Sequence, residues 1–211
     1  MSAVTLPLPV DGVCEATGTT TILVVRHTEV HNPQRVLYGR LPDYRLSDSG
    51  VKQAERLAEF LAQRPISVVY SSPLERARQV AGLIADRHPD AKRMVTGLLN
   101  EIGTSWEGTP FSQFKAGFSA YENRRHDDDE TIEDVRRRMT EFVTRAHEKH
   151  PGETIVGVSH GDPITILRIA LSGREVTVAL TKGSDYAGLG SITEITFAPE
   201  ATTPQVRVVR Y

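Results

Sequence analysis

Residues 20–28 read TTILVVRHT, and this stretch decides the fold. Six consecutive β-branched or apolar residues predict a short strand that is buried on both faces. Arg26 and His27 follow directly, where that strand ends. A cation and an imidazole at the carboxyl end of a buried strand indicate a functional site, because ligands of open α/β sheets bind beyond that end.

Strands and helices alternate along the rest of the chain. Apolar spacing predicts four helices, and β-branched runs predict five further strands. The helices are expected over residues 51–63, 73–88, 131–149 and 163–171, and the strands over 67–71, 93–96, 154–159, 191–197 and 206–209. This order predicts an α/β fold, a three-layer α/β/α sandwich with a mostly parallel sheet. The last two strands, joined by a short loop, predict an antiparallel edge. Ser72 is expected to cap the second helix, with Pro73 at its first position.

Composition limits the function classes. The chain has 211 residues, which predicts a flexible tail over 1–19 and a single domain over 20–211. It carries 25 Lys and Arg against 27 Asp and Glu, a net charge of −2, which argues against nucleic acid and membranes as partners. The one cysteine, Cys14, excludes an intrachain disulfide and a zinc site built from several thiolates. We expect a cytoplasmic protein, and the sequence leaves its oligomeric state open.

Three predicted strands end in groups that suit a phosphate. Arg26 and His27 follow the first, Arg76 lies one turn beyond the second, and His160 follows the strand over 154–159. Guanidinium groups bind phosphoryl oxygens bidentately, and a neutral imidazole can attack phosphorus without first losing a proton. The sequence therefore predicts a phosphoryl-group site that needs no metal or other cofactor, since arginines and a second histidine supply the positive charge.

Such a reaction also needs a proton donor for the leaving oxygen. Glu101 is the best candidate, because it follows the strand over 93–96 in an otherwise non-acidic segment. Its task requires a pKa raised by burial, and Trp106 is a candidate apolar neighbour.

Four motifs in this order resemble the histidine phosphatase superfamily, which has the phosphoglycerate mutase-like fold. They are VVRHTEVHNP (24–33), SSPLERARQVA (71–81), LNEIGTSWEG (99–108) and VSHGDPI (158–164), and the resemblance covers residues 20 to about 198. It implies that His27 is the phosphorylated nucleophile and Glu101 the general acid and base. It further implies a substrate-binding pocket made by Arg26, Asn32, Arg76, His160 and Gly161.

One departure concerns Thr28, which stands where the family has glycine. Threonine is strained at positive φ, so we expect either ordinary backbone geometry there or an altered loop. The interval of 59 residues from Glu101 to His160 is shorter than the resemblance implies for true mutases, which favours a phosphatase. A mutase-type phosphotransferase, and a catalytically weak member that binds phosphoesters or a partner, remain as alternatives.

The substrate is expected to be a small phosphorylated molecule. Sugar phosphates, phosphoglycerates, nucleotides and phosphoproteins all fit the predicted cluster. Candidates for shaping the choice are Trp106, Phe111, Phe114, Tyr121 and, near the nucleophile, His31. The acidic run over 126–130 is interpreted as a solvated loop before a helix and not as a metal site.

Overall fold

The computed structural model of the chain describes residues 18–199, 201 and 203–211. The predicted tail over 1–19 therefore lies almost entirely outside the described residues, as does Cys14.

Six strands and five α-helices make up the described chain. In chain order they are β1 (Thr20–Arg26), α1 (Asp48–Leu61), β2 (Ile66–Ser71), α2 (Glu75–Asp86), β3 (Lys92–Val95), α3 (Ile132–Lys149), β4 (Thr154–Ser159), α4 (Gly161–Leu171), α5 (Val178–Thr181), β5 (Ile192–Phe197) and β6 (Gln205–Val209). Two 3₁₀ turns, Gly97–Leu99 and Phe111–Gln113, lie between β3 and α3. The one-turn helix α5 was not predicted, because four residues are too few to show a helical period.

The six strands form one sheet in the order β3-β2-β4-β1-β5-β6. The first four are parallel, β5 runs antiparallel to β1, and β6 runs antiparallel to β5. This confirms the mostly parallel sheet with an antiparallel edge. Register pairs Arg26 with Ser159 and Ser71 with Val158, so β1, β2 and β4 end at nearly the same level. The residues that follow these strands are therefore neighbours.

Helices cover both faces of the sheet, which confirms the three-layer sandwich. Side chains of β1 alternate between the two cores: Ile22 and Val24 pack in the core that contains α3 and α4, and Leu23 and Val25 in the core with α1 and α2. All four are fully buried. Burial on both faces explains why β1 is continuously apolar.

The start of α2 differs from the prediction. The helix begins at Glu75, and Leu74 occupies the capping position without a side-chain hydrogen bond. The prediction of Ser72 as the cap was therefore wrong. Its hydroxyl contacts His160 and Asn100 instead, two side chains brought there by the fold and not by local sequence.

The loop after β1 packs directly on the first turn of α1. A Cβ placed on Gly50 would lie 2.0 Å from the backbone oxygen of Glu29. The Ser47 backbone N–H donates to the same oxygen, and the Ser47 hydroxyl caps α1 by accepting from the Gly50 N–H. These contacts fix the segment that immediately follows His27. Within the described ranges, no helix is both long and apolar enough to span a membrane.

Replacing Gly50 by alanine should therefore destabilise the protein by about 2–3 kcal/mol, because the backbones of α1 and the loop must separate. The matched control is Gly82→Ala in α2, where an added Cβ meets nothing within 4 Å. That change should stabilise by roughly 0.5–1 kcal/mol through helix propensity. Urea denaturation measures both, and equal effects of the two substitutions would contradict the close packing at Gly50.

Candidate active site

His27 is completely buried at the end of β1, and its two ring nitrogens have different surroundings. Nδ1 lies 2.7 Å from the backbone oxygen of Thr28. Because a carbonyl can only accept, this contact assigns the ring proton to Nδ1. Nε2 then carries a free lone pair, and it has no hydrogen-bond partner among the described residues. The ring is oriented and has its unprotonated nitrogen available.

The surroundings of His27 keep the ring neutral. Burial, together with the positive charges of Arg76 and Arg26, lowers its pKa from 6.5 to about 3, against the opposing Thr28 hydrogen bond. Protonation would place a third positive charge beside two guanidinium groups in a region shielded from water. His27 is therefore a neutral imidazole at physiological pH.

His160 lies beside His27, with ring centroids 5.1 Å apart. Its Nε2 is 2.9 Å from the Ser72 hydroxyl, which in turn donates to Oδ1 of Asn100 at 2.9 Å. Since the hydroxyl proton is used toward Asn100, Nε2 of His160 must be the donor to Ser72. Nδ1 is buried and makes no hydrogen bond within the described chain. Burial and the positive charge of Arg76 hold the pKa of His160 well below its usual range.

Two arginines, Arg26 and Arg76, lie close to His27 and His160, and the four side chains form one cluster. Arg76 is almost fully buried, donates to the backbone oxygen of Gly39 at 2.6 Å, and lies over the Tyr38 ring at 4.7 Å. Arg26 donates to the backbone oxygen of Ala187 and lies over the Tyr186 ring at 5.1 Å. In both guanidinium groups Nε is buried and bonded to no described residue. The cluster thus holds spare donors suited to an oxyanion.

Glu101 stands at the edge of a neighbouring cavity, where a buried arginine fixes its backbone. Arg138 of α3 donates to the backbone oxygens of Leu98, Asn100 and Glu101, and Arg40 donates to that of Glu101 at 2.7 Å. The Glu101 carboxylate accepts from the Ile102 N–H at 3.0 Å.

Burial and a second carboxylate control the protonation of Glu101. Desolvation, followed by the negative charge of Asp162, raises its pKa from 4.5 to about 7. Asp162 itself accepts a hydrogen bond from the Tyr121 hydroxyl at 3.0 Å and another from Tyr186. Burial raises the pKa of Asp162 as well, but the two hydroxyl donors and the charge of Arg26 oppose that shift, so Glu101 is the member of the pair that holds a proton near neutral pH.

The cavity has a volume of about 480 Å³ and contains part of the predicted site. Arg26 and Glu101 line it directly. Arg76 does not, but it contacts Tyr38 and Gly39, which do. His27 and His160 are fully buried and lie outside the lining. The structure therefore brings Arg26, His27, Arg76 and His160 together beside the cavity.

Asn32 and Gly161 have structural contacts of their own. The Asn32 side chain donates to and accepts from the Val36 backbone, which closes the loop after β1. A Cβ on Gly161 would lie 2.3 Å from the Tyr186 hydroxyl and 3.0 Å from Cζ of Arg26. A side chain at position 161 would therefore have to displace the Tyr186 hydroxyl and the Arg26 guanidinium from the start of α4.

The predicted specificity residues divide into two groups. Phe111 and Tyr121 line the cavity. Trp106 and Phe114 do not: both pack against Phe118, which lines it in their place, with centroids 4.9 and 4.2 Å from its ring. His31 is exposed and lines a separate cavity of about 620 Å³ near α1.

The acidic run over 126–130 is exposed over residues 126–128, as predicted, but its last two residues are not solvated. Asp129 is 5% exposed and accepts hydrogen bonds from Ser105 and from the backbone of Arg125. Glu130 forms salt bridges with Arg40 and Arg138. Both carboxylates therefore stabilise the loop beside Glu101. In the part of the chain that the structure describes, no group of three or more His, Cys, Asp or Glu residues is arranged to hold a metal ion.

Thr28 has ordinary backbone geometry, which settles the departure noted in the sequence. Among the described non-glycine residues only Arg35 and Asp43 have positive φ. The Thr28 side chain is fully buried, and its hydroxyl donates to the backbone oxygen of Gly50 at 2.7 Å. The residue thus links the loop after His27 to α1.

Several site residues were missed by sequence reasoning. They are Ser72, Asn100, Phe118, Arg138, Asp162 and Tyr186. Only Asp162, directly after the His160-Gly161 pair, carried a signal: an acidic residue at the start of an otherwise apolar helix.

Comparison with known families agrees with this geometry. The strand order and the clustered histidines and arginines define a phosphoglycerate mutase-like α/β protein. The family model of the histidine phosphatase superfamily (branch 1) matches residues 22–208. The chain belongs to that superfamily.

Individual relatives cover most of the chain. "Uncharacterized protein Rv0525" of Mycobacterium tuberculosis is 37% identical over 167 residues, which are 74% of this chain and 81% of the relative. Phosphoserine phosphatase 1 of Hydrogenobacter thermophilus is 27% identical over 81% of this chain and 85% of its own length. The crystal structure of phosphoglycerate mutase from Bacillus anthracis covers 92% of this chain and 94% of that chain, with a TM-score of 0.73 and 20% identity, and so shares the fold.

Removing the Thr28 hydroxyl should weaken the folded state. We expect Thr28→Val, which keeps the shape, to cost about 1 kcal/mol through the lost bond to Gly50. Thr28→Ser keeps the hydroxyl and serves as the control. Urea denaturation compares both variants with wild type, and a valine variant as stable as wild type would show that the bond contributes nothing.

Proposed function

We propose that the protein is a metal-independent phosphomonoester hydrolase that forms a phosphohistidine intermediate on His27. The observation that carries this is the unprotonated Nε2 of His27, buried and without a partner among the described residues, between two guanidinium groups with spare donors. A neutral nucleophile beside donors suited to phosphoryl oxygens is what phosphoryl transfer requires.

In the first step Nε2 of His27 attacks phosphorus and the ester P–O bond breaks. Glu101, protonated because of its pKa of about 7, gives its proton to the leaving oxygen. The imidazole now carries positive charge, which the Thr28 carbonyl stabilises through the Nδ1–H bond.

In the second step the Glu101 carboxylate takes a proton from water, and the water oxygen attacks phosphorus. The P–N bond breaks, inorganic phosphate leaves, and His27 and Glu101 return to their starting states. Glu101 thus serves as acid and then as base, and each step is balanced.

The remaining site residues stabilise charge on the phosphoryl group. Arg26 lines the cavity and is the first cation an incoming phosphate meets, and Arg76 contacts the same wall. The phosphate's negative charge favours protonation of His160, whose Nδ1 then becomes a donor. Asn32 and the start of α4 at Gly161 are proposed to complete the substrate site.

The relatives support hydrolysis over binding alone. Phosphoserine phosphatase 1 is named for the removal of phosphate from a small phosphorylated molecule, and it covers four-fifths of this chain. The substrate proposed here is of that general kind, a small phosphomonoester.

Replacing His27 by alanine should abolish hydrolysis of p-nitrophenyl phosphate, with a loss of about 10³-fold or more, because the ring nitrogen that is proposed to attack phosphorus is removed. The reaction is measured with a metal chelator present. His31→Ala, which removes an exposed histidine from a different cavity, is the matched control and should keep full activity.

Mass spectrometry of the quenched wild-type reaction should find acid-labile phosphate on His27. Activity that survives His27→Ala, or that disappears in chelator, would contradict the mechanism. Isomerisation of a phosphoglycerate in place of release of phosphate would indicate the mutase.

The pH profile should report the protonation of Glu101. We expect kcat/KM to fall about tenfold per pH unit above pH 7, because the free enzyme then loses its general acid, while His27 stays unprotonated down to about pH 3. Glu101→Gln should lower the rate about 10²–10⁴-fold for phenyl phosphate and remove this descending limb.

In kcat/KM, which reports only the steps up to loss of the leaving group, the same variant should lose much less with p-nitrophenyl phosphate, since nitrophenolate leaves without needing a proton. Equal losses of kcat/KM for the two esters would exclude Glu101 as the proton donor.

A further inference from the structure

We infer that the cavity beside the phosphate cluster (Arg26, His27, Arg76 and His160) binds the alcohol part of the substrate. The cavity selects a bulky, uncharged aromatic or apolar group and excludes a carboxylate. This inference rests on the proposed hydrolase function and names the class of phosphomonoester that the same site takes.

The cavity is larger and more aromatic than a three-carbon alcohol requires. Its 480 Å³ lies within the range of pockets that enclose drug-sized ligands. Five aromatic side chains line it: Tyr38, Phe111, Phe118, Tyr121 and Tyr186. Aromatic side chains bury large apolar area and prefer stacked or edge-on partners. A planar or apolar leaving group matches this wall.

The wall is built to keep its shape. Phe118 stacks on Phe114 with centroids 4.2 Å apart, and Trp106 meets both rings edge-on. The indole N–H of Trp106 donates to the backbone oxygen of Asn123 at 2.7 Å. Phe114 and Trp106 therefore hold the Phe118 ring in place on the side away from the cavity.

Two cations, Arg26 and Lys182, line the cavity in the described structure, and both already have partners. Arg26 belongs to the phosphate cluster. Lys182 donates through Nζ to the backbone oxygens of Gly117 and Phe118. Lys182 keeps its charge and one N–H, but Asp162 lies close enough to feel that charge, so a substrate carboxylate would have to compete with Asp162 for it.

Asp162 would also repel a carboxylate on the substrate. Its oxygens are fixed by the hydroxyls of Tyr121 and Tyr186, and those bonds hold a negative charge at the cavity wall. Two like charges in a site shielded from water repel strongly. An uncharged polar atom is tolerated, since the Ser119 hydroxyl lines the cavity, is buried, and has no partner within the described residues.

Two matched pairs of esters test the inference on the intact wild-type protein. 2-Naphthyl and phenyl phosphate have leaving groups of similar acidity and differ by one ring, and kcat/KM should favour the naphthyl ester at least tenfold. Glycerol 3-phosphate and 3-phosphoglycerate are both alkyl esters and differ in a carboxylate, and kcat/KM should favour the glycerol ester at least tenfold. Preference for phenyl phosphate or for 3-phosphoglycerate would overturn the inference.

Two variants locate the selectivity. Phe111→Ala should reduce the naphthyl-to-phenyl ratio several-fold; Phe111 is 46% exposed, so its loss is expected to leave the fold intact. Phe60→Ala, which removes a 37% exposed ring that packs on Tyr211, is the matched control and should leave the ratio unchanged.

Asp162→Asn should reduce the preference for glycerol 3-phosphate over 3-phosphoglycerate several-fold. Because this change also affects Glu101, the ratio of the two kcat/KM values is compared and not the rate with either ester alone. Unchanged ratios in Phe111→Ala and Asp162→Asn would contradict the assignment.

Binding separates this inference from the hydrolase proposal. Dissociation constants of the four esters are measured on His27→Ala, which cannot turn them over. If wild type hydrolyses none of the esters, the proposed function fails, while the same order of binding would still support the cavity's selectivity. Binding without preference would overturn the selectivity, whether or not hydrolysis occurs.

Discussion

The common level at which β1, β2 and β4 end is the constraint on which the site depends. Parallel pairing places Arg26 beside Ser159, and therefore His27 beside His160, without any direct bond between the two rings. A shift of one residue in that register would exchange inward and outward side chains along the whole strand. Because both faces of β1 are packed against helices, such a shift would require both cores to repack, so their packing sets the distance between the His27 and His160 rings.

Hydrogen bonding then decides what each group can do. The carbonyl of Thr28 fixes the tautomer of His27, and the Ser72–Asn100 pair fixes that of His160. Glu101 retains its proton through burial and the charge of Asp162. The chemistry therefore rests on partners that do not themselves react. Changes in those partners are expected to alter reactivity while the cluster itself stays in place.

The sequence was informative where function depends on residues next to strand ends. Strand runs and helical spacing predicted the sheet and four helices, because both faces of a parallel sheet and one face of each helix must be apolar. Arg26, His27 and His160 could be located because each lies within two residues of the end of a predicted strand.

Contacts between distant segments could not be predicted in this way. Arg138 sits on α3 like any surface arginine, yet it binds the backbone of the Glu101 segment, 37 residues earlier. Ser72 was predicted to be a helix cap because local sequence favours that interpretation. Its hydroxyl does accept from the nearby Leu74 N–H at 3.3 Å, but its two side-chain partners, Asn100 and His160, come from other segments. Asp129 and Glu130 looked solvated because their partners, Ser105 and Arg138, lie outside the acidic run.

The aromatic cluster behind the cavity has a spectroscopic consequence. Trp106 is the only tryptophan of the chain, it packs on the cavity-lining Phe118, and the Arg125 guanidinium lies 3.3 Å from the centre of its ring. A ligand that displaces Phe118 also changes the polarity around this single indole. The protein thus contains its own fluorescent reporter of cavity occupancy, and emission from one residue can follow binding without an added label.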